Sequence, residues 1–347
     1  AVFSGNPEQY DIGLDDDGNV TVTDTNPDNG DDGTDTLESV EQLQFGNRLE
    51  VIAEFGPSSN LDTSVLGDIQ RVILNDVYVG PTNNIKGLDS GATVEYQVAS
   101  GGNAHVGAKI TDTSALDDVL NVVLNANEAS PDFGLLEMPG VEKLNIDSTT
   151  TMAEPTAVNN TITAVAAQES YESYPPVTIL GGIETIDVTG NAELTLRAGN
   201  NNELKSVSRL NGHDEGLNAD LGNSTKDLTA TLGAGDDTIV SGDGDDILNG
   251  GAGNDTLTGG AGADTFVFGN SDSPTGSPDE ITDFEDGLDL IDLSGASVSD
   301  LADVTVTDDG TDSEVTYIDG DGNDQTIVLS GVTGGIDASD FIFADVS

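Results

Sequence analysis

Four nine-residue blocks run without a gap from Leu232 to Val267. They open at Leu232, Ser241, Gly250 and Gly259. In each, positions two and four are glycine: Gly233 and Gly235, Gly242 and Gly244, Gly251 and Gly253, Gly260 and Gly262. Position six is aspartate (Asp237, Asp246, Asp255, Asp264), and position eight is large and apolar (Ile239, Leu248, Leu257, Phe266). Such a pattern points to cation binding. Glycines reach backbone angles closed to other residues, so a six-residue turn can aim carbonyl oxygens inward. The sixth residue adds a carboxylate to those carbonyls. A hard cation that accepts six to eight oxygens in loose geometry suits this donor set, which favours calcium over the stricter octahedron of magnesium.

The elements that must position these turns follow from the same spacing. Three residues after each turn make a short strand with its middle side chain buried. Two blocks close one right-handed rung of 18 residues, so turns stack every second block. Asp237 should neighbour Asp255, and Asp246 should neighbour Asp264, about 4.8 Å apart. Aligned carboxylates repel unless a cation lies between them. Four buried apolar side chains are a small hydrophobic return for ordering so much glycine-rich chain. Metal binding and folding are therefore expected to be one event.

Composition supports a cation-dependent protein. The 347 residues carry 65 acidic and nine basic side chains, a formal net charge of −56. Phosphate polyanions and anionic lipid are poor partners for such a chain, so no nucleic acid and no membrane insertion are expected. Asp outnumbers Glu 46 to 19, which favours acid placed in turns. Lys226 is the last basic residue, and 28 acids follow it; that stretch needs metal, salt or a partner. There is no cysteine, so no disulfide braces the fold. No run of 18 apolar residues spans a bilayer. No positively charged segment precedes an apolar stretch near Ala1, and the chain is expected to be the C-terminal piece of a longer one.

Upstream, short β-branched runs alternate with Gly/Asn/Asp clusters, which reads as all-β. Val40–Phe45, Val141–Ile146 and Ile183–Val188 resemble one another and alternate apolar with polar residues, as ladder strands with loops of unequal length would. Asp15–Asn19 and Asp319–Asp324 are expected to be hairpin turns. Two helices are expected, over 64–75 and 161–168. Met152–Pro176 is expected to be a surface excursion, and Asn218–Leu221 and Thr229–Leu232 degenerate rungs capping the roll. The divisions expected are a β module at 1–55, a solenoid-like region at 56–205, the roll at 206–270 and a β cap at 271–347.

The nonapeptides resemble those of the RTX (repeats-in-toxin) family. That resemblance implies a parallel β-roll, several calcium ions in its turns, and export by type I secretion machinery. The turn glycines and Asp237, Asp246, Asp255 and Asp264 match the family's calcium-binding positions. Leu232 and Ser241 depart from glycine at position one. Asp279–Phe284 and Gly287–Ser294 are similar to the segment that follows the roll in RTX proteins, where the Asp of the Asp-Phe pair closes the last calcium site; Asp283 is the corresponding residue. Ala338–Phe343 is similar to the terminal strand near RTX secretion signals. Residues 90–230 resemble, more loosely, the solenoid of RTX-bearing S-layer proteins. The opening resembles a module of large RTX surface proteins, in which Asp31, Asp32 and Asp35 hold a further ion or form a solvated loop.

No catalytic constellation is visible. His105 and His213 are isolated, with no zinc-protease signature, and no Gly-x-Ser-x-Gly elbow occurs. The expectation is a non-enzymatic, calcium-folded surface protein that self-assembles through calcium-bridged acidic faces. The alternatives are an adhesin, with Tyr171 and Tyr174 in contact, or the calcium-binding tail of a larger secreted hydrolase.

Overall fold

The structure, a computed structural model, describes residues 207–344 apart from 214, 223, 271 and 273–277. Before them it describes the strands and residues 92, 141, 183, 184 and 204. Almost all regular structure among them is β. The chain winds as a solenoid between two long sheets, of 14 and 13 strands. From Arg48–Glu54 to Leu290–Asp292 it places successive strands alternately in one sheet and the other, so each pair of strands is a rung. Neighbouring rungs pair in parallel throughout this stretch.

The resembling segments are adjacent rungs. Lys143–Thr150 pairs with Thr185–Gly190, with Leu144 opposite Ile186 and Ile146 opposite Val188. Those four side chains are buried, and the same inward column continues through Leu210, Ala230, Leu248, Phe266 and Ile291. The facing sheet contributes Leu194, Leu196, Leu217, Ala219, Ile239, Leu257 and Ile281. Period-two alternation therefore builds the core, and loops of varying length emerge between rungs.

Three expectations are corrected. The stretches read as helices contain strands, Ile69–Asn75 and Asn159–Ala166. Their β-branched residues (Ile69, Val72, Ile73; Thr161, Ile162, Thr163, Val165) suit a pleated ladder better than a helical turn. Asn159–Ala166 is also a rung inside the segment read as a surface excursion; Tyr171 and Tyr174 lie outside the described residues. Finally, Leu217–Asp220 and Thr229–Thr231 do not cap the roll. Each pairs on both sides, so the upstream solenoid runs straight into the repeats.

The hairpins are as expected. Tyr10–Leu14 and Val20–Asp24 pair antiparallel around Asp15–Asn19. Beyond the repeats, Val304–Asp308, Ser313–Ile318 and Asp324–Leu329 form an antiparallel meander, whose last strand joins Asp279–Ile281 in parallel. Asp319 is buried and accepts from the Asp321 and Asn323 amides, both at 2.9 Å, and from Gln325 Nε2 at 2.9 Å. Its carboxylate organises the turn. The terminal strand Phe341–Ile342 pairs with Leu290–Asp292.

Candidate calcium-binding turns

The four repeats stack in the expected register. Thr238–Val240 lies on Thr256–Thr258, with Ile239 opposite Leu257; Ile247–Asn249 lies on Thr265–Val267, with Leu248 opposite Phe266. Their turns form two columns, Gly233–Asp237 under Gly251–Asp255 and Gly242–Asp246 under Gly260–Asp264. The third and fourth turns have one shape. Gly251 and Gly260 both have φ 94°, and Gly253 and Gly262 both have φ 146°. In the second turn only Gly244, at 132°, is in that region, and in the first neither glycine is. Turn geometry thus becomes regular along the chain, in step with glycine at position one.

Asp237, Asp246, Asp255 and Asp264 are each 1 % exposed. Every one uses Oδ1 to hold the preceding turn of its column. Asp237 accepts from Leu217 N at 2.6 Å, Asp255 from Asp237 N at 2.9 Å, and Asp246 and Asp264 do the same for Leu228 and Asp246 at 2.7 and 2.9 Å. The second oxygen has no such role. Oδ2 of Asp237, Asp246 and Asp255 is buried without a hydrogen-bond partner. A bare carboxylate oxygen in a dry site is costly. Burial pushes the Asp237 carboxyl up to about 8 and those of Asp255 and Asp264 up to about 6, against the lowering effect of the backbone amides they accept. Asp255 adds to the rise at Asp237, and Asp246 to that at Asp264.

These residues fit calcium. The orphaned oxygens belong to buried carboxyl groups that call for a cation, and no lysine or arginine exists downstream of Lys226 to supply one. Among the described residues no three acidic or histidine side chains gather as a metal cluster. Each repeat turn buries one carboxylate. The Gly233 and Gly242 carbonyls, expected to point inward, instead accept the Ala252 and Ala261 amides along the stack at 3.0 Å.

Asp283, singled out by sequence, accepts from Gly259 N at 2.9 Å through Oδ1 and from Gly260 N at 2.8 Å through Oδ2. It clamps the start of the fourth turn. Two residues that sequence reasoning missed continue the buried columns. Asp279 accepts the Asp255 amide at 2.8 Å, and Asp289 accepts the Asp264 amide at 2.9 Å. Their separations of 24 and 25 residues break the 18-residue rung. The signal that could have found them is Asp-x-apolar, which Asp279-Glu280-Ile281 and Asp289-Leu290-Ile291 share with every repeat. Asp31 and Asp32 lie outside the described residues, as does the side chain of Asp35 and the whole of His105.

Residues 231–266 match the family model for the RTX calcium-binding nonapeptide repeat, in four copies. These four repeats belong to the RTX repeat family. They form a calcium-binding β-roll and take several calcium ions. Two solved structures are similar to this chain, both repeat subunits of the Azotobacter vinelandii mannuronan C5-epimerase determined in solution. The AlgE6R3 subunit is 30% identical, over 39% of this chain and 79% of that one, with a TM-score of 0.29. The AlgE6R2 subunit is 30% identical, over 39% and 87%, with a TM-score of 0.28. No curated protein matches the chain. No helix among the described residues is long and apolar enough to cross a membrane.

Proposed function

We propose that this is a non-catalytic structural protein that folds on calcium outside the cell and then assembles with copies of itself into a surface layer or fibre. The observation that carries the reading is the pair of buried aspartate columns, in which Asp237, Asp246 and Asp255 are braced on one oxygen and bare on the other, in a stretch without a single basic side chain. At neutral pH such columns call for calcium, which is scarce in cytoplasm and plentiful outside. The chain would pass through a type I exporter loose and wind up on arrival. Asp237, Asp246, Asp255 and Asp264 supply the carboxylates, the turn glycines shape the loops, and Asp283 fixes the fourth turn. Further calcium bridges exposed acids between copies.

Circular dichroism and electron microscopy of the purified chain, with calcium and with chelator, test this. The expected result is a β signal that appears with calcium, together with ordered sheets or filaments. Full β signal in chelator would remove the folding claim. Dispersed single particles at saturating calcium would remove the assembly claim and favour an adhesin or an accessory tail.

A further inference from the structure

Ser241 stands at position one of the second repeat, where the third and fourth have Gly250 and Gly259. In those later copies a Cβ at position one would lie 2.1 Å from Asp255 Oδ2 and 2.2 Å from Asp264 Oδ2, so the carboxylate itself fills the space. In the second copy a side chain and the carboxylate share it. Ser241 is 1 % exposed. Its hydroxyl is surrounded by acceptors: it contacts the Gly259 carbonyl closely and the Thr258 carbonyl at 3.1 Å. Thr258 O already accepts the Ser241 amide at 3.0 Å. One hydroxyl has one proton to give. With that proton on Gly259 O, the Oγ lone pairs remain, next to an Asp246 Oδ2 that has no donor. A buried spot with more oxygens than protons is a cation site.

We propose that Ser241 Oγ is a calcium ligand of the second repeat's turn, acting with Asp246 Oδ2 in a site that differs in kind from those of the third and fourth repeats. The inference rests on the calcium reading above and deepens it. Its neutral oxygen replaces the room that glycine leaves elsewhere, so this turn gains a ligand where it departs from the repeat. Loss of the hydroxyl weakens one site and leaves the others as they are.

The test is calcium titration by calorimetry, with ion counting by native mass spectrometry, on the full chain carrying Ser241→Ala, and on Ser241→Gly, which restores the repeat's own residue in case alanine crowds the carboxylate. Both should lose about tenfold in affinity at one site, or one ion from the count, with an unchanged β signal at saturating calcium. Unchanged affinity in both variants would overturn the proposal, as would equal weakening of every site, which marks Ser241 as a brace of the fold. Absence of calcium binding by the unmodified chain would instead overturn the calcium reading itself.

Discussion

At Asp255 one carboxylate oxygen is held by the Asp237 amide and the other is buried without a partner. The two oxygens predict opposite effects for one substitution. Asp255→Asn keeps the acceptor that braces the stack and removes the charge. In chelator the variant should be more stable than the parent, by about 1–3 kcal/mol, the usual relief for an unsatisfied buried group. In calcium it should be less stable, with one site weakened at least tenfold. Thermal melts in both conditions decide this; a variant destabilised equally in both would show that the charge is not what calcium reads. Protons act in the same direction. The folded carboxyls of Asp237, Asp255 and Asp264 titrate near 8, 6 and 6, against an ordinary 3.8. A raised folded pKa stabilises the fold fully below pH 3.8 and loses that contribution as pH climbs through about 6 and then 8. Metal-free roll should therefore be most ordered in acid and should lose β signal between about pH 6 and 8, while calcium affinity rises over the same interval. A metal-free signal that grows with pH would contradict this. The carboxylates at position six were legible in the sequence because their frame is strict. Asp279 and Asp289 were not, because longer turns separate them from Asp255 and Asp264. Asp283 was legible as important, yet its geometry is that of a backbone clamp.

Strands and turns differ in how plainly the sequence declares them. The rungs around Leu144, Ile186 and Ile239 were readable from alternation alone, since a solenoid strand buries every second side chain. Ile69–Asn75 and Asn159–Ala166 were misread because short apolar spacing fits a helix and a strand about equally, and only the neighbouring rungs choose. Turns are governed by contact between layers. Gly253 has φ 146°, and a Cβ there would come within 2.2 Å of Gly235 O in the turn below; Gly287 has φ 74° with nothing within 4 Å. Alanine at position 287 incurs backbone strain alone, about 1 kcal/mol. Alanine at position 253 adds a backbone collision that must push the stacked turns apart, so it should cost well over about 2 kcal/mol and lower calcium affinity as well. Equal melting temperatures for Gly253→Ala and Gly287→Ala in calcium would show that close stacking is not what the repeat glycines protect.

Over the whole molecule, charge is sorted by place. From Thr229 to Val267 the outward strand positions, among them Thr229, Thr231, Thr238, Val240, Asn249, Thr256, Thr258 and Thr265, carry no charge, while the turns carry the aspartates. Those turns have two acid lines. The inner one is buried. The outer one, Asp227, Asp236 and Asp245, is exposed, and its members brace the amides of Asp245, Asn254 and Ala263 at 3.1, 3.0 and 2.9 Å. Inner carboxylates are desolvated and preorganised, so they should fill first; exposed ones are screened by water and salt and should fill only at higher calcium. Folding and assembly should then show separate thresholds in a calcium titration, the β signal rising before light scattering. Replacing Asp236 and Asp245 together with asparagine keeps their side-chain acceptors and removes two exposed charges. It should leave the first threshold in place and move the second upward in calcium. If both thresholds move together, or scattering rises with the β signal at one concentration, exposed acid lines do not join the copies, and the surface that does must lie on the uncharged faces between them.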